Sequence, residues 1–290
     1  MATVSGVTKN SNNDTTNDLT DSATSNPTKK LQVVGGGKMG EALIGGLVSS
    51  GWAAAGELHV VEPSSERRVQ IESDIPGIIT GEAPIMGVDT LIAVKPNIVP
   101  AVLPALATAA VPRVLSIAAG VKIAAIESAL PDGTAVVRCM PNTPALVGEG
   151  MAAVAAGSAA SAADIDWAKG ILGSVGQVVE VDESDIDAVT GVSGSGPAYV
   201  FHLAEALIAA GIEQGLAPDV ADTLARQTLL GASKLLSESG EDPAQLRINV
   251  TSPGGTTAAG LAVFADAGFE GIVSEVVRAA TERSRELGAS

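Results

Sequence analysis

A short strand-like run, Leu31 to Val34, leads straight into Gly35-Gly36-Gly37-Lys38-Met39-Gly40. A helical pattern follows, with Ala42, Leu43, Gly46 and Leu47 on one side, and ends near Gly51. Gly35, Gly37 and Gly40 fit the spacing G-x-G-x-x-G in a strand–loop–helix setting. The first glycine permits the tight turn. The second lets backbone approach a pyrophosphate, and the third lets the helix lie close on the strand. The helix start adds unpaired N–H groups and a partial positive charge for phosphates. A tight turn in an ordinary α/β protein can show the same spacing, but the flanking strand and helix favour a dinucleotide.

Further strands follow at intervals. Leu58 to Val61 is stopped by Glu62-Pro63, and Thr90 to Val94 by Lys95-Pro96; Arg113 to Ile117 and Thr134 to Arg138 read the same way. Helical stretches separate them, which predicts a parallel sheet covered on both faces. After about Asp185 the strand signals end, and residues 197–214, 218–238 and 268–287 read as helices with Ala, Leu and Val at helical spacing. Pro218 suits a first helical turn and Gly240 a helix stop. The expected organisation is a disordered polar tail over residues 1–29, a Rossmann-type parallel-sheet domain over 30–185 and an all-helical domain over 186–290. The tail is rich in Thr, Asn, Ser and Asp and cannot bury enough surface to offset chain entropy.

Composition narrows the function. The 290 residues are 46% hydrophobic but only 2% aromatic, so the core must be built from Ala, Val, Leu and Ile. A formal net charge of −16 argues against a nucleic-acid partner and against anionic membranes. Cys139 is the only cysteine; it can form no internal disulfide and no structural zinc site, so no metal is expected. With neither a secretory signal nor an apolar span in view, the expected location is the cytoplasm.

Several loops at strand ends carry chemistry. Glu62 stands where an acid accepts hydrogen bonds from the adenosine ribose and disfavours a 2′-phosphate, yet Ser64, Arg67 and Arg68 follow and could cradle that phosphate. Lys95 and Pro96 end one strand and the small residues Ser116 to Gly120 another, both where ligands of open α/β sheets bind. Asn142 and Thr143 offer hydrogen-bonding groups between two prolines, as an ordinary turn also does. In the helical half, Gly191 to Tyr199 interrupts a helical pattern, and Asn249 to Thr257 precedes another helix. The N–H groups from Gly254 to Thr257 would make a carboxylate site, with hydroxyls alongside.

Together these motifs resemble the pyrroline-5-carboxylate reductase family. The resemblance runs from Leu31 to about Leu287 through VVGGGKMGEALIGGL, AVKPNIV, SIAAGV, CMPNTPALVGEG, VTGVSGSGPAYVF and VTSPGGTTAAGL. It implies NADPH- or NADH-dependent reduction of 1-pyrroline-5-carboxylate to L-proline. It also implies a helical domain that interlocks with a partner chain, giving a homodimer and, in many members, a decamer. By the same resemblance Gly35, Gly37, Lys38, Met39, Gly40, Glu62, Ser64, Arg67, Val94, Lys95, Pro96, Ala118, Ala119 and Asn142 hold the cofactor. Ser252, Gly254, Gly255, Thr256 and Thr257 hold the substrate, with Thr257 also a catalytic candidate. His202 is a candidate proton donor; a histidine satisfied by its surroundings is the plainer reading. Glu62 departs from members that carry a small or hydroxyl residue nearby and favour NADPH.

Two other readings compete. A β-hydroxyacid dehydrogenase would need a lysine on the helix after Gly196, and beyond residue 170 the only lysine is Lys234. A non-catalytic dinucleotide-binding regulator would not need the Ser, Thr and Gly at 252–257.

Overall fold

The computed structural model describes residues 29–288. The expected disordered tail lies outside them, apart from Lys29. One eight-stranded sheet organises the first part of the chain. Its strands are β1 (Leu31–Val34), β2 (Leu58–Val61), β3 (Ile79–Gly81), β4 (Thr90–Ile92), β5 (Arg113–Ser116), β6 (Ala135–Met140), β7 (Gly150–Ala156) and β8 (Gly176–Glu180). They lie in the order β3-β2-β1-β4-β5-β6-β7-β8, so the order reverses between β1 and β4. The first six strands are parallel, as the apolar runs of β1, β2, β4, β5 and β6 predict.

Two features depart from the sequence reading. The short β3, the Ala-rich β7 and the partly exposed β8 were not expected as strands, because none shows a clear apolar run or alternation. The sheet is also not wholly parallel: β7 pairs antiparallel with β6. The chain reverses there through a 3-10 turn at Thr143–Val147 that ends on Gly148 with φ +78°.

Helices cover both faces. On one face lie α1 (Lys38–Ser49), α2 (Ser65–Asp74) and α5 (Ala162–Leu172), which bury Leu43, Ile44, Leu47, Ile71, Ile165 and Ile171 against the sheet. On the other lie α3 (Val99–Thr108), α4 (Ile123–Glu127) and α6 (Ile186–Val189), burying Val99, Leu103, Leu106, Ile123, Ile126 and Ile186. The lone thiol of Cys139 sits inside the first cluster, and burial pushes its pKa well above the ordinary range. A buried guanidinium ties sheet to helices: Arg138 on β6 meets Glu183 at 3.0 Å, and Glu183 also accepts from the Ile123 N–H at the start of α4.

From α6 onward every element is helical: α7 (Gly196–Glu213), α8 (Pro218–Ser239), α9 (Pro243–Asn249), α10 (Thr256–Asp266) and α11 (Phe269–Leu287). Pro218 and Gly240 bracket α8 as expected, the glycine in the left-handed region at φ +67°. Between α6 and α7 the chain forms a π-helical turn, Thr190–Gly194. The second half of α11 docks on this turn and on α6: Ser284 donates to Asp187 at 2.6 Å. A Cβ on Gly191 would stand 2.4 Å from the Thr281 hydroxyl, so the approach depends on glycine there. The other helices bury almost nothing within the chain. Phe201, Leu224, Leu230, Val263, Ile272 and Val273 are all exposed.

Candidate active site

The carboxyl ends of the parallel strands share one edge of the sheet, and the glycine loop lies at the reversal of strand order between β1 and β4. Gly35 takes φ +109°, and a Cβ there would sit 2.8 Å from Val94 and 2.9 Å from the Ala93 carbonyl. At Gly40 a Cβ would sit 2.5 Å from the Gly35 carbonyl, so α1 can lie this close only without a side chain. Gly37 differs: its Cβ position faces open space, and it caps α1 with no side-chain hydrogen bond. The first N–H groups of α1 are therefore free of any side-chain cap and point out of an open loop, as phosphate oxygens require. Gly35 and Gly40 thus meet the steric needs that their spacing predicts, and Gly37 leaves the loop open.

Around the loop, Glu62 accepts from the Gly36 N–H through Oε2 at 3.0 Å and from the Ser64 N–H through Oε1 at 3.0 Å. Ser64 caps α2 by accepting from the Arg67 N–H at 3.3 Å. The Arg67 side chain donates to the Gly36 carbonyl at 2.7 Å and to Glu41 at 2.6 Å. Gly36 and Glu41 were not singled out in the sequence. A Cβ on Gly36 would stand 2.5 Å from the end of the Ile71 side chain and 3.2 Å from the Glu62 carboxylate, so both would have to shift to admit one.

The remaining cofactor candidates stand along the same edge. Lys38, Lys95, Pro96 and Ala119 are exposed there, while Met39 and Val94 are half-buried and Ala118 is buried. Asn142 has a second duty. Its amide donates to the Ser193 carbonyl at 3.2 Å and its carbonyl accepts from the Met151 N–H at 2.8 Å, so it pins the π-turn to β7. A cavity of about 1050 Å³ opens beside Pro96 and Ala119, between α3, α4 and α11, with Lys122 and Arg283 as its charged lining.

The substrate candidates lie elsewhere in the chain. Ser252, Gly254, Thr256 and Thr257 are exposed and line no part of that cavity. The Gly255 N–H turns inward onto the Ser252 carbonyl at 3.0 Å, so the cradle narrows to the N–H groups that follow it. The start of α10 carries no side-chain cap and offers those N–H groups and two hydroxyls outward. His202 stands on α7 with its side chain 85% exposed, 3.3 Å from Glu205. One chain therefore brings the cofactor candidates together and leaves the substrate candidates and His202 on its open helical half. Among the described residues no group of His, Cys, Asp or Glu is arranged to hold a metal ion, and no helix is long and apolar enough to cross a membrane.

Comparison with known proteins agrees with both halves. Residues 30–120 match the family described as NADP oxidoreductase coenzyme F420-dependent, and residues 183–287 match pyrroline-5-carboxylate reductase dimerisation. A pyrroline-5-carboxylate reductase of Synechocystis sp. is 45% identical over 89% of this chain and 98% of its own length. That of Pseudomonas aeruginosa is 41% identical over 90% and 97%. Among solved structures, the reductase of Coxiella burnetii superposes with a TM-score of 0.85 at 31% identity, covering 90% of this chain and 98% of its own. The Plasmodium falciparum enzyme, solved with NADP bound, superposes at 0.77 and 30% identity over 90% and 99%. The chain belongs to the pyrroline-5-carboxylate reductase family.

Proposed function

We propose that this chain reduces 1-pyrroline-5-carboxylate to L-proline, with NADPH or NADH as hydride donor. The observation that carries the reading is the pairing of two uncapped helix starts, one at the glycine loop and one at Gly255-Thr256-Thr257. The first fits a pyrophosphate and the second a carboxylate. The bound cofactor supplies one hydride, which goes to C5 of the protonated imine and leaves an amine at the ring nitrogen. A protonated imine is already electrophilic, so the protein's task is mainly to orient it. Backbone at Gly35–Gly40 holds the dinucleotide, and the small residues Ala118 and Ala119 leave room for a flat ring against backbone. The N–H groups and hydroxyls of Thr256 and Thr257 anchor the substrate carboxylate, beside Ser252. His202 sits too openly in one chain to serve as proton donor by itself; its role depends on what the partner brings to α7.

The site is completed across the dimer. The loop at 252–257 is exposed and lines no part of the cavity beside Ala119, and α7, α8, α10 and α11 expose apolar side chains that a second copy would cover. The chain divides near residue 185, a boundary supported by the end of β8 at Glu180 and by the match beginning at residue 183. The homodimer is the unit, the decamer is its higher assembly, and the cytoplasm is its place of work. Oxidation of NADH and of NADPH, followed in parallel with 1-pyrroline-5-carboxylate, tests the reaction. Turnover with at least one is expected; a folded oligomer that binds cofactor and turns over neither would overturn it.

A further inference from the structure

Both oxygens of the Glu62 carboxylate are held by backbone, Oε2 by the Gly36 N–H and Oε1 by the Ser64 N–H, each at 3.0 Å. The side chain is thereby fixed at the end of β2 against the phosphate loop. Each oxygen keeps lone-pair capacity for one further donor, and a ribose hydroxyl is such a donor. A 2′-phosphate is not: it carries up to two negative charges and only acceptors. It would have to displace the carboxylate or find cations strong enough to outweigh it.

Two arginines stand close enough to be considered, and both are engaged. Arg67 donates to the Gly36 carbonyl at 2.7 Å and pairs with Glu41 at 2.6 Å. Arg68 donates to the carbonyls of Glu62 and Pro63 at 2.8 and 3.0 Å and pairs with Glu82, just past β3, at 2.8 Å. Each guanidinium thus has its own carboxylate, and Glu62 is the carboxylate left over. We propose that Glu62 makes this site select the dinucleotide that lacks a 2′-phosphate. Glu41 and Glu82 set the margin of that preference by holding Arg67 and Arg68 on the glycine loop and at the strand end. The assignment deepens the functional reading above and rests on it only in taking the glycine loop as the dinucleotide site.

Calorimetric titration of the full-length protein with NADH and with NADPH, in the absence of any imine, tests this directly. NADH should bind about tenfold more tightly or better, the scale of one charge-assisted hydrogen bond gained against one repulsion. Glu62→Ser should erase or invert the ratio. The double variant E41Q/E82Q should tighten NADPH by about threefold or more, since both arginines then lose their anionic partners. Wild-type protein that binds NADPH as tightly as NADH would overturn the proposal, as would a ratio unmoved by Glu62→Ser. Should Glu62→Ser fail to fold, the wild-type ratio and the double variant still decide. Because no imine is present, this outcome is separate from turnover. Absent turnover with the preference intact would sink the functional reading alone, and equal affinities with turnover intact would sink this one alone.

Discussion

The two halves of the chain solve the problem of burial differently. The sheet half closes on itself: every residue of β1, β2 and β4 is buried, and helices on both faces complete two apolar clusters. The helical half does not: α7, α9 and α10 bury no residue within the chain, and α8 buries only Ala221 and Ala225. Apolar side chains left open along several helices are too much surface for a free monomer. One half is a core and the other is half of a core. The same division runs through the site, whose cofactor candidates are gathered within one chain while its substrate candidates wait on the open half.

Charge placed on the open half should break that contrast most severely. Phe201→Asp together with Leu224→Asp should convert the dimer to monomer and abolish turnover while nucleotide binding survives. Light scattering and NADH titration on the same sample read both effects. In the closed half, Gly40→Val forces a side chain into the Gly35 carbonyl. We expect a loss of about 3 kcal/mol in unfolding free energy, with dinucleotide affinity lost as well. Glu183→Ala strands the buried Arg138 guanidinium and should cost about 2 kcal/mol, read from denaturant midpoints at unchanged slope. Thr256→Pro is milder, because the first helical turn accepts proline while losing one N–H. KM for the imine should rise about tenfold with cofactor affinity unaltered.

The smallest effect concerns pH. Burial lowers the pKa of His59 on β2, with the Ala83 carbonyl opposing and Lys29 assisting. Its buried Nδ1 has no hydrogen-bond partner. A base whose folded pKa is depressed stabilises the fold above its unfolded value, near 6.5. That contribution is lost as pH falls through the lower, folded value. Melting temperature should therefore decline below about pH 6 and decline less in His59→Gln, as thermal scans across pH would register.

What could be read from sequence alone follows the same division. Strands buried on both faces announce themselves as apolar runs, and β1 and β2 begin and end where expected. Helices with proline at the start and glycine at the end, α8 above all, were equally legible. The strands that escaped were those without a pattern: Gly-Met-Ala-Ala-Val-Ala-Ala of β7 shows no alternation because alanine suits either face. The reversal of β7 was hidden because pairing direction is decided by a turn rather than by the strand. In the site, the glycine loop could be read because its spacing is local, and Gly35 and Gly40 answer steric needs at the turn itself. The pairings Arg67–Glu41 and Arg68–Glu82 could not, since they join residues 26 and 14 positions apart through the fold. The duty of Asn142 likewise depends on Ser193, on an element far along the chain.

Subunit complementation tests the composite site most directly. Gly37→Asp sets a carboxylate in the open phosphate loop, and Thr257→Glu sets one where the substrate carboxylate would bind; each homodimer should be inactive. Unfolded and refolded together in equal amounts, half of the dimers should be mixed, each with one intact site of two. About a quarter of wild-type activity should return if the loop at 252–257 serves the partner's glycine loop. A mixture that contains mixed dimers and stays inactive would show that each chain builds its site alone, contradicting the account.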